Sequence, residues 1–421
     1  GPSRRNYAEL QAVVIVSGDD ALMYPLTSVP TLPKSMLPVG TVPLLWFQLA
    51  LLQRAGFEQV VLAVEAPFRD IVVKSVAGFR ERCGAGGVDV KCETVEEQIG
   101  SADVLRAVAH LLTGDFVVLT GDTIMSDVVE RLADVHQLHG AAVTMVLQDT
   151  KARRKGIDGV NYIALATSDH RVVMLANDAD LEGDTITLPK ALLRRRPDIV
   201  VSTELVDMRT YIFSRWVIDY ICENEETVSG ITEDLIPALV NMQFRKGARV
   251  LSRAIRASIA ADQAARSPAT RMASARSVRA DDADLAGAAV GGGGGGGAGA
   301  GGSGANMNAG AGLGSNNAGG IDGGAGGARG LVGDGGSRRS SAGSSGGGGR
   351  SSSSSSEKTG DDDVVRCHYL CIDSDKEYMC RAGTADEYLA MNTKIMKGPS
   401  AASVQSLPYP PSLEVLVRKA G

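Results

Sequence analysis

Aromatic side chains and cysteines are scarce in this chain. Aromatic residues make up 4% of the 421 residues, and the six cysteines are scattered rather than grouped. So low an aromatic share in a chain long enough for two domains indicates that part of it does not pack into a core. Scattered cysteines are typical of reduced thiols and argue against a disulfide framework. We therefore expect an intracellular protein.

Long apolar runs and a strong net charge are also absent. No stretch approaches the roughly 20 apolar residues that a membrane-spanning helix needs, and the N-terminus lacks a signal-peptide pattern. Lys and Arg total 43 against 49 Asp and Glu. The chain as a whole therefore lacks the net positive charge that is typical of nucleic-acid-binding proteins. We expect a soluble protein of the cytosol, cytoplasmic in location, with no membrane partner and no direct nucleic-acid partner.

Glycine and serine are concentrated in one region, from about residue 257 to 363. Unbroken runs of glycine at 291–297 and of serine at 351–356 lie within it. Such a composition cannot bury enough apolar surface to offset the entropy lost on ordering, so a disordered insert is predicted. The serines around Arg338 and Arg339 could accept a regulatory phosphate; an inert spacer is the alternative.

The ordered part begins with an apolar strand that leads into a loop. The run AVVIV at 12–16 breaks at Ser17 and Gly18 and continues to the segment PKSMLPV at 33–39. A short β-branched run followed by a loop is typical of a buried parallel strand next to a phosphate site. Similar patterns predict helices over 43–54, 67–82, 98–112, 215–222 and 232–240, and strands over 59–64, 88–92, 115–120, 141–147, 198–206 and 209–213.

The stretch 12–39 resembles the N-terminal signature of the sugar-nucleotide pyrophosphorylase superfamily of nucleotidyltransferases. PLT at 25–27 and the segment that begins Pro33-Lys34 match that signature. The resemblance implies an α/β fold: a Rossmann-like nucleotidyltransferase domain with a mostly parallel central sheet flanked by helices. Asp122 stands where active relatives hold the catalytic magnesium, and GSA at 100–102 resembles the family's glycine turn. The implied vestigial nucleotide pocket consists of Gly18, Lys34, Gly100 and Asp122.

The phosphate loop departs from the family pattern. Where the family has glycines, threonine and arginine, this chain has SGDDAL at 17–22, and the family's Glu-Lys-Pro motif is replaced by ANDADLE at 176–182. At about 4 Å, a carboxylate from Asp19 or Asp20 would repel a phosphate by roughly 4 kcal/mol. Losing one electrostatic donor typically costs on the order of a hundredfold in rate. We predict no catalytic residue, no bound metal and no cofactor.

Five segments in combination resemble the gamma-subunit family of eukaryotic translation initiation factor 2B, the guanine-nucleotide exchange complex for initiation factor 2. They lie at 14–18, 38–46, 100–106, 174–182 and 229–237, and the resemblance covers residues 7 to about 250 before resuming at about 364. It implies a pseudoenzyme that pairs with the epsilon subunit, joins the other subunits and helps to dock initiation factor 2. The exchange chemistry would belong to the epsilon subunit.

Two alternatives stay open on the residues alone. An active sugar-phosphate nucleotidyltransferase would use Lys34 and Asp122 with a nucleoside triphosphate and magnesium, but Asp20 and Leu22 argue against it. A regulatory nucleotide in the pocket is permitted by the turn at Gly100 and by Asp122.

After the insert, 364–397 is predicted to complete the α/β domain with a hairpin and a helix. The hairpin would pair strands at 364–372 and 377–382, and the helix would span 386–392. Zinc ligands are usually Cys and His, and this segment contains Cys367, His368, Cys371 and Cys380. However, strand alternation sends Cys367 and His368 to opposite faces, so no metal site is predicted.

The predicted domains are therefore a first α/β part at 7–256, the insert at 257–363, the completing segment at 364–397 and a tail at 398–421. The tail is proline-rich and shows no six-residue repeat, so the left-handed β-helix domain of the resembling family is expected to be absent. The opening Gly1-Pro2-Ser3, without methionine, is typical of a fragment.

Overall fold

Ten strands form one sheet with helices on both faces. The computed structural model describes residues 10–16, 23, 26–27, 32–83, 88–150, 161–177, 185–186, 188, 192–193, 196, 198–244, 251–265, 365–374 and 377–396. All of them fall in one unit, made of residues 1–290 and 362–421, while the second unit, 291–361, lies outside the described residues. Among the residues described, no helix has the length and apolar character needed to cross a membrane.

The elements follow one another in a largely alternating order. The strands are β1 Leu10–Val16, β2 Pro38–Val39, β3 Val42–Pro43, β4 Gln59–Glu65, β5 Asp89–Val95, β6 Asp115–Thr120, β7 Thr123–Met125, β8 Val143–Asp149, β9 Asn161–Ala166, β10 Arg171–Asn177, β11 Ile199–Ser202, β12 Leu205–Phe213, β13 Cys367–Asp373 and β14 Met379–Arg381. The helices are α1 Leu44–Arg54, α2 Arg69–Cys83, α3 Ser101–Ala107, α4 Val129–His139, α5 Arg215–Glu223, α6 Ile236–Met242, α7 Arg253–Ala265 and α8 Ala385–Met396.

Parallel strands make up the half of the sheet built from the N-terminal part of the chain. The order there is β5-β4-β1-β6, and Val14 of β1 lies opposite Leu62 of β4 and Leu119 of β6. Parallel pairing requires crossover connections, which are supplied by α1, α2 and α3. The predicted Rossmann-like nucleotidyltransferase fold, with its large sheet flanked by helices, is confirmed.

The side chains of β1 alternate between two cores, one on each face of the sheet. Val14 belongs to the core that also contains residues of α1, α2, α4 and α8, whereas Val13 and Ile15 belong to the core with residues of α3, α5, α6 and α7. A strand buried on both faces has to be apolar at every position, which explains the unbroken β-branched run. This layering leaves the ends of the strands as the places where polar groups collect.

The other half of the sheet has the order β11-β9-β10-β13-β8-β12-β6 and contains antiparallel pairings. The predicted hairpin of the C-terminal segment is wrong. β13 runs parallel to β8, while β14 pairs with β7 in a separate two-stranded sheet. The apolar run of β13 is buried more favourably in the middle of the large sheet than in a local hairpin. The predicted helix that follows is confirmed as α8.

The predicted start of the insert also needs correction. Helix α7 continues to Ala265, beyond the boundary at residue 257. Leu251, Ile255 and Ile259 recur at helical spacing and are buried in the core on that face of the sheet. The alanine-rich composition concealed this stripe. The rest of the predicted insert, 266–363, lies outside the described residues, as do residues 178–182 of the substituted motif and the tail.

We expect the fold to tolerate a shorter connection between Ala265 and Val365. Replacing 266–363 with about 20 glycine and serine residues changes the loop-closure free energy by only about 1.4 kcal/mol. Urea denaturation should therefore give a free energy of unfolding within about 1.5 kcal/mol of the parent. A matched control removes 251–363 and with it the buried side chains of Leu251, Ile255 and Ile259. It should lose more than about 4 kcal/mol, because each buried Leu or Ile contributes about 1.5–3 kcal/mol. Equal losses of unfolding free energy in the two variants would contradict the assignment of Leu251, Ile255 and Ile259 to the core.

Candidate functional site

Asp122 lies at the carboxyl end of β6, in the tight turn that leads into β7. Gly121 donates its backbone N–H to the carbonyl of Ile15 at 2.8 Å, and a Cβ at Gly121 would lie 2.9 Å from that oxygen. Only glycine allows β1 and this turn to approach so closely. The buried amide of Gln48 in α1 donates to the carbonyls of Thr120 and Thr123 at 2.6 and 3.0 Å. The backbone on both sides of Asp122 is therefore held by neighbouring elements.

Two cationic side chains contact the carboxylate of Asp122. Lys34 Nζ lies 3.2 Å from Asp122 Oδ2, and Arg381 Nε lies 3.6 Å from the same oxygen. The exposed fractions of the three side chains are 4% for Asp122, 12% for Lys34 and 20% for Arg381. A carboxylate this deeply buried requires such neutralisation, because an unpaired charge in a protein interior is strongly disfavoured.

Each cation reaches Asp122 from a different part of the chain. Lys34 begins a single 3-10 turn, Lys34–Met36, directly after Pro33. Arg381 is the last residue of β14, where antiparallel pairing places it opposite Thr123 of β7. The next residue, Ala382, donates its N–H to the backbone carbonyl of Asp122 at 2.8 Å. The β7–β14 pairing thus brings the C-terminal segment to the site.

Burial by itself would raise the pKa of Asp122, but its partners lower the pKa below the ordinary range. The Lys34 ammonium is the strongest of these, followed by the Arg381 guanidinium and by the Thr120 hydroxyl, which donates to Asp122 Oδ1 at 2.7 Å. Charged and hydrogen-bonding partners favour the ionised form. Asp122 is consequently an anion already neutralised by side chains of its own protein.

A second buried carboxyl group, Asp207, occupies a bulge in β12. Arg209 has a positive φ of 50°, and its N–H donates to Asp207 Oδ1 at 2.9 Å. The Tyr211 hydroxyl donates to Asp207 Oδ2 at 2.6 Å. Burial raises the pKa of Asp207, although these two hydrogen bonds and the charge of Arg209 oppose the rise.

The side chain of Arg209 links the two carboxyl groups electrostatically. Burial lowers the pKa of its guanidinium, but Tyr211 and nearby carboxylates, which include Asp122 and Asp207, raise it overall. The charge of Arg381 also acts on both carboxyl groups. Lys34, Arg209 and Arg381 therefore form a cluster of three cations around Asp122 and Asp207, and we call this set the Asp122 cluster.

The turn at Gly100 is occupied by the protein itself. The N–H groups of Ala102 and Asp103 both point to the carbonyl of Ser229, at 2.8 and 3.3 Å. The Ser229 hydroxyl donates to Asp103 Oδ2 at 2.5 Å, and the N–H of Ile231 donates to Ser101 Oγ at 2.8 Å. The amides that begin α3 are thus satisfied by the loop before α6, so that loop packs where the sequence predicts a ligand.

The predicted pocket residues have different outcomes. Lys34 and Asp122 are brought into contact, Gly100 lies at the separate contact with Ser229, and Gly18 lies outside the described residues. Their role as a nucleotide pocket stays a prediction. Sequence reasoning missed Arg209 and Arg381 because no local motif marks them. Only the bulge in β12 and the pairing of β14 with β7 bring them to Asp122.

The residues at this site do not fit a magnesium ion. Magnesium binds oxygen ligands, usually one or two carboxylates together with water and substrate phosphates. Asp122 is instead paired with two fixed cations, whose charges would repel a metal ion. Within the described ranges, no group of three or more His, Cys, Asp or Glu side chains is arranged to hold a metal.

Comparison with known proteins finds a nucleotidyl transferase family match and similarity to translation-factor subunits. The family model described as nucleotidyl transferase matches residues 11–254. The gamma subunit of translation initiation factor eIF2B from Schizosaccharomyces pombe is 33% identical over 246 residues, covering 56% of this chain and 52% of the relative. The eIF2B gamma subunit from Dictyostelium discoideum is 27% identical over 233 residues, covering 51% of this chain and 53% of the relative. The resemblance to gamma subunits is thereby confirmed.

Sugar nucleotidyltransferases are similar to the chain as well. The mannose-1-phosphate guanyltransferase of Candida albicans is 33% identical over 141 residues, covering 32% of this chain and 37% of the enzyme. Among solved structures, the inositol-1-phosphate CTP transferase from T. maritima superposes with a TM-score of 0.41 at 13% identity, covering 56% of this chain and 82% of that one. The chain spans about half the length of the curated gamma subunits that it matches.

Proposed function

The chain belongs to the nucleotidyl transferase family, and from that premise we propose that it is a non-catalytic member, a subunit of the guanine-nucleotide exchange factor for initiation factor 2. In this proposal it pairs with the epsilon subunit in an exchange subcomplex, within a cytosolic hetero-oligomer that includes the other subunits. The chain gives the subcomplex structural support and helps to dock initiation factor 2, and it supplies no catalytic residue.

The contact of Lys34 and Arg381 with Asp122 is the observation that carries the proposal. Nucleotidyl transfer in the family depends on a metal ion at this strand end, and here two side chains neutralise the carboxylate. A guanidinium is always charged, so Asp122 keeps a positive partner without a metal ion. Such a site supports a structural rather than a catalytic role for this domain.

The names of the relatives support the translational role. The gamma subunit of S. pombe is 33% identical over 246 residues, whereas the mannose-1-phosphate guanyltransferase of the same organism is 27% identical over 236 residues. Pairing with the epsilon subunit rests on the resemblance to the gamma-subunit family.

The proposal is tested by co-expression of the chain with an epsilon subunit, followed by two measurements on the purified material. We expect the two chains to co-purify in fixed proportion and GDP release from initiation factor 2 to accelerate relative to the epsilon subunit alone. We expect no release of pyrophosphate from GTP, ATP or UTP with a panel of sugar phosphates and magnesium. A mannose-1-phosphate guanyltransferase serves as the positive control. Failure to co-purify would overturn the proposed partnership.

An active sugar-phosphate nucleotidyltransferase is the second candidate, because mannose-1-phosphate guanyltransferases are among the relatives. Its reaction would join a nucleoside monophosphate unit to a sugar phosphate and release pyrophosphate. Sustained pyrophosphate release by the isolated chain, dependent on one sugar phosphate and on magnesium, would favour this candidate over the first.

A further inference from the structure

One part of the large sheet is paired with the next strand at a single position, although its side chains also pack in the core that contains α6. β9, β10 and β11 form an antiparallel group at the end of the sheet, which we call the outer wing. Among the described residues, β10 pairs with β13 at a single position, Arg171 opposite His368. By contrast, β13 pairs with β8 over its whole length, from Cys367 to Asp373. A single residue pair therefore completes the sheet between the outer wing and the parallel half.

This connection is built from polar side chains, although both partners are buried. Arg171 is 2% exposed and His368 is 1% exposed. His139, near the end of α4, stacks its ring on His368 with a centroid separation of 4.0 Å and an interplanar angle of 13°. Thr144 of β8 lies opposite His368 in the parallel register. Two imidazoles and a guanidinium thus meet where apolar side chains would ordinarily pack.

The charged groups around His368 are mainly cationic. From β10 comes Arg171, whose Nε lies 3.0 Å from Asp169 Oδ2. From the residue before β13 comes Arg366, which donates to the backbone carbonyl of His139 at 3.0 Å. His170 packs against Tyr369.

Asp169 is the carboxylate in this group, and it is shared with Arg196. On the same face, His136 of α4 contacts Thr144 at 3.0 Å and lies 3.6 Å from Asp115. Cys367 is buried beside His368, and its N–H donates to Gln243, which in turn donates to the carbonyl of Val172. Protonation of His368 would therefore add a positive charge close to two arginines and to the ring of His139.

We propose that the stacked pair of His139 and His368 makes the connection between the outer wing and the rest of the sheet sensitive to acid, so that mild acidification opens it. The ligand in this proposal is the proton, which binds to the opened connection. The closed connection requires a neutral His368, whereas an opened connection exposes the ring to water, where it binds a proton freely.

The sign of the effect follows from the pKa of His368. Burial, the neighbouring His139 and the charge of Arg171 together hold this pKa well below its usual value of 6.5. A group whose pKa is lower in the closed state binds more protons in the open state, so closing is favoured as the pH rises. The connection is fully stable above about pH 6.5, and it weakens as the pH falls below that value. For one imidazole, the first pH unit below about 6.5 raises the opening constant about fivefold, and the whole interval from pH 7.5 to 5.5 raises it about tenfold.

Hydrogen exchange of the full chain between pH 7.5 and 5.5, corrected for intrinsic exchange rates, tests the proposal. We expect the protection of β9, β10 and β11 amides to fall about tenfold between pH 7.5 and 5.5, while amides of β1, β4 and β6 keep theirs. His368→Phe, which keeps a ring against His139, should remove most of this pH dependence. His139→Phe is the second variant and should reduce it even if the first fails to fold.

His110→Gln is the matched control, because His110 is exposed on the short turn after α3, away from this connection. It should leave the pH dependence unchanged. Wing protection that stays constant across the pH range in the parent, or that falls as steeply in the His368→Phe and His139→Phe variants as in the parent, would overturn the proposal. So would an equal loss of protection in every strand, which would mean that acid unfolds the domain as a whole.

Discussion

Replacing Asp122 with asparagine should lower the free energy of unfolding by about 3 kcal/mol. The substitution keeps the shape of the side chain and removes the charge that Lys34 and Arg381 share. Removing one member of a buried ionic group is costly because the remaining charges stay desolvated without compensation. Urea denaturation of parent and variant at pH 7 measures the difference. The result would show that the Asp122 cluster holds the N-terminal and C-terminal parts of the domain together.

Asp127→Asn is the matched control for this prediction. Asp127 pairs with Arg54, but the two side chains are 41% and 50% exposed, so solvent screens the pair. An exposed ion pair typically contributes between 0 and about 1 kcal/mol. Comparable losses at positions 122 and 127 would contradict the assigned role of the Asp122 cluster.

The contribution of Asp122 should also have a defined dependence on pH. Its pKa is lower in the folded chain than in the unfolded one, because Lys34, Arg381 and Thr120 outweigh the effect of burial. The stability it confers is therefore complete above the unfolded pKa of about 3.9 and is lost as the pH falls through the lower folded value. We accordingly expect the difference between the parent and the Asp122→Asn variant to stay constant between pH 5 and 8.

Gly100→Ala is expected to destabilise the fold strongly. A Cβ at this position would lie 2.2 Å from the carbonyl oxygen of Ser229 and 2.3 Å from its hydroxyl oxygen. The clash involves backbone, so α3 and the loop before α6 have to separate, and the hydrogen bonds from Ala102 and Asp103 to Ser229 are lost. Overpacking of this kind costs about 3 kcal/mol, which thermal or urea unfolding can measure.

Gly78→Ala provides a control with the opposite expected sign. Gly78 lies inside α2, and its added Cβ would meet the Trp46 ring at 3.4 Å, an ordinary contact distance. Alanine in a helix interior is more favourable than glycine by about 0.5–1 kcal/mol. A stabilised Gly78→Ala variant together with a destabilised Gly100→Ala variant would identify the Ser229 contact as the cause. Equal effects at the two positions would contradict it.

The parallel half of the sheet could be predicted because its signals are local. The β-branched run of β1 and the apolar runs of β4 and β6 each indicate a strand buried on both faces, and the glycine after α1 marks the end of that helix. The family resemblance singled out Lys34 and Asp122 as pocket residues, but it did not predict their direct contact, which the structure supplies.

The rest depends on partners that are distant in the chain. Nothing in the sequence near Arg381 shows that β14 pairs with β7, so the second cation at Asp122 could not be found. The hairpin was predicted from a local turn signal, but β13 gains more by entering the large sheet beside β8. The stripe formed by Leu251, Ile255 and Ile259 was obscured because alanine and arginine dominate the residues around it.

The late position of β13 in the chain has a consequence for biosynthesis. The strand fills the gap between β8 and β10, yet about 190 residues separate the end of β10 from its first residue, Cys367. A ribosome that adds 5–20 residues per second needs about 10–40 s to make that stretch. During this time β8 and β10 have no strand between them, and their unpaired edges are open to the wrong neighbours. Newly made chains should therefore depend on chaperones until Cys367–Asp373 leaves the ribosome.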